Sequence, residues 1–262
     1  MKRLHLLEIH DQPWCPRAIR DAFTDYLQFT IVATKPYAPV APLLADALKR
    51  TKSGRVLDLC SGGTGPWLWL LPVLQAQGVN VSVCLTDRYP NQEAFARAHR
   101  DSRGAITGHP EPVDATSVPS GLPGFRTLFT SFHHFRPAQA RAILADACHQ
   151  RQGIGVFEAT QRNPLALLSM LLVPLVVLLV TPFIRPFRWS RLLWTYLVPV
   201  VPFLILFDGV VSCLRVYEAA ELKELTTGLQ DHEYEWSMGT TRGKLSPVTV
   251  TYLIGVPIEN VI

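Results

Sequence analysis

Four carboxylates, two adjacent histidines and a cluster of glycines stand where short apolar runs of the chain end. Asp58 lies near the end of VLDL (56–59), Asp87 follows VSVCLT (81–86), Asp114 follows Pro112 and Val113, and Glu158 closes IGVFE (154–158). Ser131, His133 and His134 follow TLFT (127–130) in the same manner. Between Ser61 and Gly65 three residues of five are glycine: Gly62, Gly63 and Gly65. Glycine adopts positive φ and lets a ligand reach the backbone with no Cβ between them. A turn of this kind opening a helix presents unpaired N–H groups to a ligand. An acidic residue about 20 positions further on is suited to ribose hydroxyls, and Asp87 stands there. Histidine or glutamate at a strand end is a candidate general base where a nucleophile must lose a proton, which singles out His133, His134 and Glu158.

The elements that must position these residues alternate. From residue 55 the pattern predicts strand 1 at 56–59, helix 67–77, strand 2 at 81–86, helix 91–99 with Asn91 as its cap, a short strand 3 at 105–107, strand 4 at 127–132, helix 137–150 and strand 5 at 154–158. Strands alternating with helices imply a parallel sheet covered on both faces, with ligands at the carboxyl ends of its strands. Two alternating stretches after residue 230 predict an antiparallel strand pair at the end of that sheet. The expected fold class is α/β: a Rossmann-like doubly wound sheet, mostly parallel, with a C-terminal antiparallel pair, an N-terminal helical cap and an apolar helical insertion. The expected divisions are a cap over 1–50, a core over 51–161, the insertion over 162–217, and a helix and strand pair over 218–262 that complete the core.

Composition narrows the functional classes. The 262 residues carry a net charge of +4, and their arginines are scattered, so no basic face for nucleic acid is indicated. The five cysteines are far apart and include no C-x-x-C pair, so neither a metal site nor a disulfide framework is expected. The N-terminus lacks the apolar run of a signal peptide. A cytoplasmic location is therefore expected, at most peripheral at the inner face of a membrane.

The position of Asp58 separates two cofactor classes. A carboxylate at the junction of strand and turn would repel a pyrophosphate but suits a sulfonium and an α-amino group. Together VLDLCSGGTG (56–65), Thr86-Asp87, PVDAT (112–116), TSFHHF (130–135) and GVFEA (155–159) resemble the class I S-adenosylmethionine-dependent methyltransferases. The resemblance covers roughly residues 50–160 and extends over 216–256. One departure stands out: the family turn is commonly Gly-x-Gly-x-Gly, and here Cys60 takes the first glycine place. The resemblance implies S-adenosyl-L-methionine as cofactor. Its methionine portion would lie along Gly62, Gly63 and Gly65 beside Asp58, its ribose at Asp87 and its adenine at Asp114 and Ala115. Ser131 would form the floor of the site.

Methyl transfer needs in-line approach of a nucleophile, so positioning supplies much of the rate. The amino-methylating motif of nucleic-acid enzymes is absent after strand 4, and no cysteine stands there for covalent base methylation, so nucleic-acid substrates are disfavoured. The stretches 165–184 and 192–207 carry no charged residue, and Arg185, Arg188 and Arg191 lie between them. Three occupants are open for 165–207: one leaflet of a membrane, the active site as a lid, or a second copy in a homodimer. Each favours a small hydrophobic or lipid-like methyl acceptor. The competing readings are a non-catalytic membrane-associated scaffold that retains the fold, and a nicotinamide-dependent oxidoreductase.

Overall fold

The computed structural model describes residues 1–229, 234–243 and 248–258. Its strands are β1 (Arg55–Asp58), β2 (Ser82–Leu85), β3 (Ile106–Gly108), β4 (Phe125–Phe129), β5 (Ile154–Glu158), β6 (Tyr234–Arg242) and β7 (Thr249–Pro257). Its helices are α1 (Arg17–Thr34), α2 (Ala41–Arg50), α3 (Trp67–Ala76), α4 (Gln92–Asp101), α5 (Pro137–His149), α6 (Pro164–Met170), α7 (Val173–Val180), α8 (Trp189–Leu192), α9 (Val200–Arg215) and α10 (Ala219–Thr226). The chain forms two compact units: Met1–Lys35 with Thr160–Tyr217, and Pro36–Ala159 with Glu218–Ile262. The N-terminal helix α1 thus belongs with the apolar insertion, whereas α2 belongs with the sheet.

The sheet unit holds seven strands in the order β3-β2-β1-β4-β5-β7-β6. β1 to β5 are parallel, and β7 runs antiparallel to both β5 and β6. β1 and β4 are the central neighbours, and the strand order reverses between them. In sheets of this kind ligands bind at that reversal, beyond the carboxyl ends of the strands. The parallel strands are almost continuously buried, as a sheet covered on both faces requires. Even Arg126, in the middle of β4, is fully buried; its guanidinium reaches Asp146 of α5 at 2.7 Å.

Local signals set the helix ends. The Asn91 side chain accepts the Ala94 N–H at 3.1 Å and starts α4, as the cap residue predicts. Pro137 occupies the first position of α5, where its missing N–H costs nothing. α1 stops where Lys35 turns left-handed with φ 45°. Strand 4 ends earlier than expected, at Phe129 rather than 132. Thr130 takes φ 45° and residues 132–134 close a single 3₁₀ turn, so the chain leaves the sheet three residues sooner.

In the other unit the apolar insertion is a set of short helices. Pro164 and Pro174 stand in the first turns of α6 and α7, and Pro199 separates a π turn at Leu193–Leu197 from α9. Proline has no N–H to give and clashes with the preceding turn, so the apolar runs break where prolines fall. α1, α7 and α9 share a core that includes Ile19, Phe23, Tyr26, Val177, Leu204 and Ile205. Among the buried polar anchors of this unit are Arg191 and Asp208. Arg191 binds Asp25 of α1 at 2.6 Å and the carbonyls of Ile184 and Pro186 at 2.7 and 2.8 Å. Asp208 of α9 accepts the backbone N–H groups of Ile9 and His10 at 2.8 and 3.0 Å and meets the His10 ring at 2.8 Å.

Candidate active site

The residues singled out in the sequence gather at the carboxyl edge of β1, β2, β4 and β5. Asp58 is the last residue of β1 and is 1% exposed. It lies opposite Thr127 in the neighbouring strand, and the Thr127 hydroxyl donates to its Oδ1 at 2.6 Å. Burial pushes the Asp58 carboxyl up to about 6, against the Thr127 hydrogen bond that favours its ionised form, and the nearby Asp87 charge pushes the same way as burial. The carboxylate sits beneath the glycine turn: a Cβ added at Gly65 would lie 3.7 Å from Asp58 Oδ2.

Backbone geometry explains the unusual turn. Cys60 has φ 56°, Gly62 φ 57° and Gly65 φ 54°. The first position of the turn therefore keeps the left-handed backbone that glycine adopts cheaply, although a cysteine occupies it. The turn is fastened from below by a short network. Ser61 N–H donates to the Thr86 carbonyl at 2.9 Å, and the Thr86 N–H and hydroxyl both donate to the Asp58 carbonyl at 2.8 Å. The ends of β1 and β2 are thereby locked together.

Asp87 pins the turn from the side. Its Oδ2 accepts the Gly62 N–H at 2.8 Å and its Oδ1 accepts the Tyr89 N–H at 2.8 Å. A carboxylate offers about four acceptor positions, so two of them face other directions. The Val113 N–H donates to the Asp87 carbonyl at 3.0 Å, which draws the loop carrying Asp114 and Ala115 to the end of β2. Ala115 is buried there. Asp114 is exposed, and its Oδ1 accepts both the N–H and the hydroxyl of Thr116, at 2.8 and 2.6 Å. Those bonds hold the Asp114 carboxyl below the usual carboxylate range. Gly63 lies within the same turn and is buried.

On the other side of the strand reversal, Ser131, His133 and Glu158 come together. Glu158 ends β5 and is buried, as is His133. Glu158 Oε1 accepts the His133 backbone N–H at 3.1 Å, and Oε2 lies 2.9 Å from His133 Nδ1. His134 packs its ring 4.3 Å from that of His133 and is half-buried. The Ser131 hydroxyl is buried and has no hydrogen-bond partner among the described residues. A buried hydroxyl left unpaired is costly, which marks it as a place where a bound group supplies the missing partner.

Two contributors were not singled out from the sequence. Thr127 carries the bond to Asp58, and its only sequence signal is a threonine inside an apolar strand. Tyr37 lies near both halves of the site: its hydroxyl is 2.6 Å from Thr130 Oγ1. Burial raises this phenol well above its ordinary range, with the charges of Glu158 and Asp58 adding to the effect. Thr130 Oγ1 also accepts the Ala159 N–H at 3.0 Å, so a strained left-handed threonine ties the ends of β4 and β5 together.

No protein-family profile and no curated protein matches the chain in sequence. Solved structures do resemble it. An O-methyltransferase family 2 protein from Planctomyces limnophilus, solved in complex with apigenin, matches with a TM-score of 0.51 at 13% identity, over 92% of this chain and 62% of that one. PigF, solved with SAH, matches at 0.49 and 14% identity, over 94% and 63%. A structure described as a Zn-dependent alcohol dehydrogenase from Rhodobacter sphaeroides matches at 0.48 and 11% identity, over 90% and 98%. The chain spans 47% and 62% of the first two solved structures it resembles. Strand order, the antiparallel β7 and the first of these likenesses agree on the fold: a Rossmann-like sheet, mostly parallel with an antiparallel C-terminal pair, shared with that O-methyltransferase.

Proposed function

We propose that this protein is an S-adenosylmethionine-dependent methyltransferase acting on a hydroxyl of a small hydrophobic or lipid-like molecule. The observation that carries the reading is the turn after β1. Its left-handed Gly62 and Gly65 stand over the buried Asp58, and Asp87 is bonded to its flank. Gly62, Gly63 and Gly65 with Asp58 would hold the methionine portion, Asp87 the ribose hydroxyls, and Ala115 with Asp114 the adenine. The Ser131 hydroxyl is a donor awaiting an acceptor. When bound, the cofactor supplies an electrophilic methyl group on a positively charged sulfur.

The chain's own residues supply a proton acceptor. With the Nδ1 proton of His133 donated to Glu158 Oε2, the ring's Nε2 carries the lone pair. Glu158 fixes both the tautomer and the ring plane, since it also holds the His133 backbone. An acceptor hydroxyl brought to Nε2 would lose its proton there as its oxygen becomes nucleophilic. A preference for apolar acceptors is supported by the uncharged stretches of the insertion.

The test is incubation of the purified chain with isotopically methyl-labelled S-adenosylmethionine and a panel of apolar hydroxyl compounds. Transfer of label to one of them, lost in His133→Gln, supports the reading. Release of unmethylated cofactor fragments alone, with no labelled acceptor across phenols, quinols and isoprenoid alcohols, counts against it.

A further inference from the structure

The unit formed by Met1–Lys35 and Thr160–Tyr217 has a buried apolar core and also leaves many large apolar side chains on its outside. Within the insertion several charged and hydroxyl side chains are turned inward, whereas Ser169, Arg185 and Ser190 are exposed. Arg191 is 2% exposed and Asp208 0%, and Thr181 and Thr195 are buried as well. Both ionised groups find their partners inside this unit, Arg191 on Asp25 and two carbonyls, Asp208 on the 9–10 backbone and His10. Val177, Ile184, Leu204 and Ile205 are buried in the core of this unit, but many other large apolar side chains of the insertion point outward. Leu165 is 77% exposed and Trp189 78%; Leu172, Leu179, Phe183 and Leu197 are similarly open. α6 has no buried residue and α7 only Val177. Apolar exposure on this scale marks an interaction face.

The charge of this face selects its partner. Residues 163–207 contain three arginines and neither Asp, Glu nor Lys. Arg185 is exposed amid Phe183, Phe187 and Trp189. In the same unit an open cavity of about 310 Å³ is lined by Arg17, Asp21, Arg188, Ser190 and Arg191. Arg191 and Arg188 lie 2.6 and 3.4 Å from Asp25 of α1, so Arg185 is the exposed cation of the segment, and a second copy meeting the same patch would bring it no acidic partner from residues 163–207. An anionic bilayer offers apolar chains for the leucines and phosphates for the arginines. Geometry limits the depth. Among the described residues no single helix is long and apolar enough to cross a membrane, and the two apolar helix pairs are bent by 42° and 80°. α6 and α7, of 7 and 8 residues, each rise only about 10–12 Å, against about 30 Å of bilayer hydrocarbon.

We infer that the outward face of residues 165–207 docks on an anionic lipid leaflet, with its leucines in the acyl region and Arg185 at the headgroups. This stands apart from the methyltransferase reading, because it rests on the exposed apolar side chains of the insertion and on Arg185, not on the sheet's site. The test is flotation of the full chain with phosphatidylcholine vesicles, with and without phosphatidylglycerol. The chain is expected to float with the anionic vesicles. The double variant Leu172→Asp with Leu179→Asp should lose at least ~100-fold in binding, as removal of two apolar anchors implies. Arg185→Glu should lose about tenfold on anionic vesicles and little on neutral ones. An unchanged circular-dichroism spectrum and an unchanged thermal melt would show that the variants are folded. Wild-type protein that stays with neither vesicle type overturns the inference. So does a concentration-dependent dimer, broken by the double variant, that has no affinity for vesicles.

Discussion

Glu158 holds His133 at two points, accepting the backbone N–H at 3.1 Å with one oxygen and meeting ring Nδ1 at 2.9 Å with the other. A two-point grip fixes the ring's position and its tautomer together, which a single hydrogen bond would not. His133→Gln is expected to lower kcat by about 10²–10⁴ with cofactor affinity unchanged, the usual range for loss of a general base. Glu158 acts through His133 and is a positioning residue, so Glu158→Gln should lower kcat by a smaller factor and leave KM in place. Imidazole added to His133→Ala should restore part of the rate. A kcat unaltered in His133→Gln would remove the histidine from the chemistry.

Asp58 makes stability depend on pH. Its carboxyl is raised from 3.8 to about 6 in the fold, chiefly by burial. The folded state therefore binds more protons than the unfolded state between those values, and stability falls as pH rises through that window. The cost is fully present above pH 6 and amounts to about 3 kcal/mol at 1.36 kcal/mol per unit. Asp58→Asn should melt higher than wild type at pH 7.5, and the advantage should vanish near pH 4. The amide oxygen can still accept from Thr127. Thermal melts across pH 4–8 check the slope, and calorimetry should show weakened cofactor binding in the same variant.

Cys60 is a cysteine where the backbone asks for glycine. At φ 56° an L-residue is strained by about 1–2 kcal/mol relative to glycine. Cys60→Gly is expected to raise the urea midpoint or leave it unchanged despite the entropy that glycine adds to the unfolded chain. Cys60→Val, branched at Cβ, should lower it. Equal midpoints for both variants would show that the left-handed conformation is not held at this position.

The pair Asp25 and Arg191 is buried in the unit that carries the insertion. Removing one partner leaves a desolvated charge, at a cost of about 3–5 kcal/mol. Asp25→Ala should make the segment 160–217 susceptible to limited proteolysis. Combining it with Arg191→Met should restore much of the protection.

The core of this architecture was legible because its signals are local. The apolar runs that became β1, β2 and β5, the glycine turn, the Asn91 cap and the terminal strand pair all announce themselves within a few residues. Contacts between distant residues were not legible. Nothing near Tyr37 predicts its approach to Thr130, 93 positions away, and nothing near Asp25 predicts Arg191. The end of β4 was overrun because apolar periodicity does not report a left-handed threonine. The partnership of the N-terminal segment with the insertion depends on Asp208. A lone acid closing an apolar run reads as a boundary in sequence, yet in the fold it is an anchor for residues 9 and 10.

The central claim is that the turn over Asp58 binds a sulfonium nucleoside, and calorimetric titration tests it most directly. The purified chain would be titrated with S-adenosylmethionine, S-adenosylhomocysteine and NADH, and again after Asp87→Ala. Binding of both sulfur ligands, no heat with NADH, and loss of affinity in the variant, which also releases Gly62 from its carboxylate, is the predicted result. Absence of binding by either sulfur ligand, or binding of NADH alone, would contradict the account.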